Sequence, residues 1–161
     1  MRAKFRNRSM AVAKSLPVLL GAAGLLVLGA PPSKAALVEI AVTGVAEARG
    51  HVHVDLCTRD TFLKETCPYE GSAPASVGAT VVRIAGVPPG QYAAQVFHDE
   101  NDQGVVHQNA FGIPTEAIGF SNDARIHVLR RGPIFSEAAF QVEHGVERIT
   151  LKLRRLLTPS R

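Results

Sequence analysis

The chain has 161 residues, of which 46% are hydrophobic and 20% charged, with 18 Lys and Arg against 14 Asp and Glu. Six of the basic residues (Arg2, Lys4, Arg6, Arg8, Lys14 and Lys34) and none of the acidic ones precede position 36, so 12 basic against 14 acidic residues remain beyond it, a net charge of −2. That balance leaves no basic footprint for nucleic acid, and the small cluster of Lys152, Arg154, Arg155 and Arg161 reads as a solvated strand edge.

Residues 1–35 read as a signal peptide. A positive stretch precedes the apolar run Leu16–Ala30, and Ser33 and Ala35 supply small residues before a cleavage point. The apolar run is shorter than the roughly 20 residues of a membrane span. The expected product is a periplasmic or secreted protein, not transmembrane after cleavage. The 161 residues less the leader's 35 leave 126, enough for a single domain at 36–161. In such a compartment Cys57 and Cys67 are expected to pair as a disulfide.

Leu37–Thr43 and His51–Cys57 alternate apolar and polar residues, the mark of half-buried strands, and are expected to form an antiparallel pair. His51, His53 and Asp55 share the outer face of the second strand; two imidazoles and a carboxylate suit zinc or copper, but the pattern equally describes a polar solvent face. Thr58–Gly78 is an irregular loop with room for one short strand or a helical turn near Phe62. Ala79–Ala85 is a strand that puts Thr80, Val82 and Ile84 on one face. Pro89-Gly90 suits a type II turn joining it to an antiparallel partner, Gln91–His98. This partner is apolar on both faces and so central. A long loop runs from Asp99 to Arg125, and Phe111, Ile113, Ile118 and Phe120 give it apolar side chains with which to pack down in an ordered state. Arg125–Arg131 reads as a short edge segment, and Ser136–Glu143 with Val146–Arg154 as a closing hairpin over His144-Gly145. About seven short strands make the chain all-β: a β-sandwich with one long ordered loop, with a barrel as the alternative.

The stretch from Val87 to Asn122, GVPPGQYAAQVFHDENDQG…NAFGIPTEAIGFSN with its preceding glycine, resembles the bacterial domain of unknown function numbered 2141. The family's pattern is V-P-P-G-x-Y-A, then F-H-D-x-N-x-N-G-x-x-D, then G-I-P-x-E-x-x-G-F-S-N. The resemblance implies an exported immunoglobulin-like or transthyretin-like β-sandwich and brings no biochemical activity with it. Gln103 and His107 depart from the pattern, which has Asn and Asp there.

The loop is where a ligand is expected, at Asp99, Glu100, Asn101, Asp102, Gln103, Gly104, His107, Asn109 and Glu116. Asp99, Asn101, Gln103 and Gly104 have the 1-3-5-6 spacing of a calcium loop, with hard oxygen donors and a glycine for the turn. Ala110 stands where such a loop needs its last carboxylate, and the same Asp and Asn residues serve equally as turn formers. His98, Asp99 and His107 would make a transition-metal set if the loop folds back, the basis of an alternative reading as a metal-dependent enzyme or metal carrier. Ser121, His98 and Asp99 supply the residue types of a hydrolase triad without a nucleophile elbow. The expectation is therefore a non-enzymatic binding or structural module whose partner is an envelope protein or glycan.

Overall fold

The computed structural model describes residues 35–64, 66–127 and 132–156. Residues 1–34 of the expected leader at 1–35, and the part of the expected edge segment at 128–131, lie outside the described residues. Among the described residues nine strands follow in order: β1 (Ala36–Val45), β2 (His51–Cys57), β3 (Tyr69–Pro74), β4 (Gly78–Val87), β5 (Gly90–Asp99), β6 (Ala117–Phe120), β7 (Ala139–Val142), β8 (Val146–Lys152) and β9 (Arg154–Arg155). A 3-10 turn at Ser121–Asp123 and one helical turn, α1 (Phe135–Ala138), interrupt them.

The strands form two sheets, as the alternating pattern requires of a β-sandwich. One has the order β4-β1-β8, with β4 antiparallel and β8 parallel to β1. The other has the order β3-β2-β5-β6-β9, and β7 also pairs with β5. Val38, Ile40 and Val42 of β1, Val82 and Ile84 of β4, and Leu151 of β8 meet Val52, Val54 and Leu56 of β2 and Ala94 and Val96 of β5 in one core. Each strand contributes its alternate residues to that core, as a pleated strand must. The described residues contain no helix long and apolar enough to cross a membrane.

β5 is central, as its two apolar faces require. On one flank it pairs with β2 from Ala93 to Asp99. On the other it pairs with β7 over Gly90–Ala93 and then with β6 over Gln95–Phe97. Its outer face is covered at Ala93 by a second small cluster of Phe135 and Ala138, with Phe62 packed against it. Phe62 lies in the loop closed by the Cys57–Cys67 disulfide, so the pairing anticipated from the compartment also holds this cover in place.

Three expected strand pairs are replaced by crossings between the sheets. β1 and β2 do not pair: β1 joins β4 and β8, while β2 joins β3 and β5. β4 and β5 also belong to different sheets. Their link, Pro88-Pro89, has no backbone N–H to give to a hairpin ladder, and Gly90 does not take the positive φ of a type II turn; Gly86 does. The Tyr92 hydroxyl instead donates to the Pro88 carbonyl oxygen at 3.1 Å and pins the crossing. The expected hairpin over His144-Gly145 is likewise a crossing, with β7 on β5 and β8 on β1. Residues 136–138 of its supposed first strand, Ser136–Glu143, belong to the helical turn.

Gly119 of β6 faces inward where the chain passes from β8 to β9. A Cβ there would lie 2.3 Å from the Lys152 carbonyl oxygen and 3.1 Å from Val96 Cγ1. Gly119→Ala is expected to lower stability by about 1–3 kcal/mol, the usual cost of overfilling a packed interior. Urea unfolding should show a lower midpoint at unchanged slope; a wild-type midpoint would contradict so close a crossing.

Candidate functional site

The site is built outward from the C-terminal end of β5. Central position buries the strand to its last residues, so His98 and Asp99 are 1% and 3% exposed. A buried carboxylate requires partners, and Asp99 finds them in the chain that follows. Its Oδ2 accepts the Gly104 N–H at 2.6 Å and its Oδ1 the Asn101 N–H at 3.3 Å. Burial acts to raise the Asp99 pKa, but the N–H groups of Gly104, Gln103 and Asn101 and the nearby His53 outweigh it and hold the carboxyl below its ordinary value. Asp102 (φ 54°) and Gly104 (φ 73°) supply the left-handed turns that bring these N–H groups round.

The neighbouring side chains fasten the loop to the second sheet. His98 Nε2–H donates to the Arg49 carbonyl oxygen at 2.8 Å. Asp102 Oδ1 lies 2.6 Å from His51 Nδ1. Glu100 receives Arg49 at 3.1 Å and also the Arg155 guanidinium, which ties the loop to β9. Gly50 completes the junction: its φ is +68°, and a Cβ there would lie 1.9 Å from the Asp99 carbonyl oxygen.

Residues 107–116 form a short finger. Gln108 bridges Pro114, and the Thr115 N–H donates to the His107 carbonyl oxygen at 3.0 Å. Asn109 Oδ1 accepts the N–H groups of Phe111 and Ile113 at 2.9 and 3.0 Å, and so shapes the tip. Glu116 closes the base, bonding His107 Nδ1 and the His107 N–H, each at 2.9 Å, and the Thr115 hydroxyl at 3.0 Å. Burial acts to raise Glu116, but these bonds, led by the His107 ring, hold it below its ordinary value. At the tip Phe111 is 88% exposed, and Val105 and Val106 precede the finger as further exposed apolar residues.

The structure therefore gathers the expected loop residues into two hydrogen-bonded clusters, one around Asp99 and one closed by Glu116, but not into the arrangements their spacing suggested. His98, Asp99 and His107 do not converge: His98 is turned to Arg49 and His107 to Glu116, and no group of three His, Cys, Asp or Glu among the described residues is placed to hold a metal. Both Asp99 oxygens face N–H donors, while Asn101 and Gln103 are exposed. On β2, His53 stacks on Phe97 with ring centroids 4.9 Å apart, and Asp55 accepts Gln95 Nε2 at 3.0 Å. Burial raises the Asp55 pKa, and Glu70 opposite adds to it.

Ser121 is not placed as a nucleophile. Its buried hydroxyl accepts the Ala94 N–H at 2.8 Å and donates to the Ala138 carbonyl oxygen at 2.5 Å, while Asn122 Nδ2 donates to the Ala139 carbonyl oxygen at 2.8 Å. These two side chains lace β5 to α1 and β7 where β5 changes partner. The residues missed in sequence are Arg49, which no pattern singled out, and Arg155, read there as part of a solvated edge.

A family model described as an uncharacterized protein conserved in bacteria (DUF2141) matches residues 40–150. No curated protein and no solved structure matches.

Asp99→Asn preserves shape but sets an amide donor against backbone N–H groups. At pH 7 stability is expected to fall by about 1.5–3 kcal/mol, the range for hydrogen bonds to a charged group. The folded carboxyl lies below its ordinary value of 3.8, so its contribution is present above that pH and is lost as pH falls through the lower, folded value. Urea unfolding across pH should show a constant gap between wild type and variant near neutrality that closes in acid below about pH 4. A gap absent at pH 7, or unchanged in acid, would contradict this role.

Proposed function

The chain belongs to the uncharacterised bacterial family DUF2141, and from its geometry we propose that it is an exported, non-enzymatic binding module whose finger at residues 107–116 inserts Phe111 into an apolar pocket of an envelope protein. The single observation that carries this reading is the pairing of a fully exposed aromatic tip with a fastened base. An exposed Phe on a slack loop would lose much conformational freedom on binding; one on a loop already closed by Asn109 and Glu116 loses less. Aromatic anchors of this kind dominate interface energies, and loops on a rigid sandwich are where binding residues concentrate.

Export is supported by the leader-like composition of residues 1–35 and by the disulfide, which belongs to an oxidising compartment. In this reading the loop's polar residues are its frame. Asp99, Glu100, Asp102 and Glu116 are engaged by N–H groups, Arg and His of the same chain. A calcium ion at Asp99, Asn101 and Gln103 would have to compete with the N–H groups that Asp99 already accepts.

A photo-cross-linking residue at position 111 is expected to capture one envelope protein that the same residue at position 81, on the outer face of the other sheet, does not capture. With that partner purified, Phe111→Ala should weaken binding by about 2 kcal/mol or more, roughly thirtyfold. Its unfolding midpoint should not move, because the ring is 88% exposed. Unchanged affinity, or capture only of glycan, would overturn the reading.

A further inference from the structure

A half-open groove of about 320 Å³ lies beside β6, lined from residues 118–126 and 152–156. It runs along the short pairing of β6 with β9, which covers only two residues, Ala117 with Arg155 and Ile118 with Arg154. Gly119 lies along the groove where the β8 to β9 backbone presses against it, and Ile118, Ala124, Ile126 and Leu156 give it apolar walls.

The charge at its rim is one-sided. Arg125, Lys152 and Arg154 face a single acid, Asp123. Arg154 already holds both oxygens of that carboxylate, one of them at 2.6 Å. Arg154, with Lys152 and Arg125 beyond it, keeps the Asp123 carboxyl below its ordinary value. Among the described residues Arg125 and Lys152 act on Asp123 only from beyond Arg154, so the rim carries three cations to one carboxylate above apolar walls. The turn that brings Asp123 to the wall is strained: Asn122 and Asp123 are consecutive non-glycine residues with φ of 55° and 52°. Such backbone persists where surrounding bonds enforce it and concentrates at binding clefts; here the Asn122 amide and the Arg154 pair are the enforcing bonds.

We propose that this groove binds a small organic carboxylate with a short apolar tail, the tail against Ile118 and Ile126 and the head between Arg125 and Lys152. A guanidinium fork matches a planar carboxylate, and the volume stands at the lower end of cavities that hold small ligands, about 300–1,000 Å³. This site is independent of the Phe111 finger.

The test is a ¹H–¹⁵N NMR titration of the purified protein with octanoate, octanol and acetate. Octanoate is expected to produce saturable shifts at the Ile118, Gly119 and Ala124 amides and to bind roughly tenfold or more tighter than either of the others, since neither has both the charged head and the tail. Arg125→Gln and Lys152→Gln, both surface changes, should each weaken octanoate roughly threefold or more without moving the unfolding midpoint, and added salt should weaken it too. Shifts that do not saturate, shifts outside the groove, octanol binding as tightly as octanoate, or indifference to both variants would each overturn the proposal.

Discussion

The Asp99 carboxylate is the constraint on which the functional end of this molecule depends. Centrality buries the end of β5, and a charge buried at a strand end is tolerated only where donors converge on it. Asp99 obtains them by turning the next five residues back on themselves. Once Asn101 to Gly104 are wound round it, Glu100 and Asp102 face Arg49, Arg155 and His51, and the loop is tied to two strands of the second sheet and to the link before β2. The finger grows from that base and is closed separately by Glu116. Order at the root is thus inherited from burial in the sandwich, and order at the tip comes from Asn109 and Glu116.

The same economy runs through the family motif. Tyr92 pins the proline link between sheets, Gly119 lets the β8 to β9 backbone cross β6, and Ser121 and Asn122 stitch β5 to β7. Residues that looked like a reactive inventory, a serine, several histidines and many carboxylates, are mostly the internal partners of a small sandwich. Its core is aliphatic, and much of its irregular chain must be satisfied by side chains. Among the described residues the surface also carries an aromatic tip at Phe111 and a cationic, apolar-walled groove beside β6.

Faces were legible in the sequence; partners were not. Alternation in Leu37–Thr43, His51–Cys57 and Ala79–Ala85 correctly assigns Val38, Ile40, Val52, Val54, Val82 and Ile84 to the interior, because a pleated strand offers only two sides. It carries no information on which strand lies alongside, and links as short as Pro88-Pro89 pass from one sheet to the other as readily as a hairpin turns back. Turn chemistry at Asp99, Asn109 and Gly104 announced an ordered loop. The spacing of Asp99, Asn101 and Gln103 also imitates a calcium loop, because an Asp that caps its own backbone uses the same short side chain, turn and glycine. His107, a departure from the family pattern, pairs with Glu116, a relation nine residues apart that no local rule announces.

The central claim is that residues 99–116 are an ordered frame presenting Phe111, and backbone ¹⁵N relaxation tests it most directly. Order parameters near 0.8 or above from Asn101 to Glu116, close to those of β5, are the predicted result. Values below about 0.6 across Asn109–Ile113 would show a loop that moves freely on the fast timescale and would contradict the account.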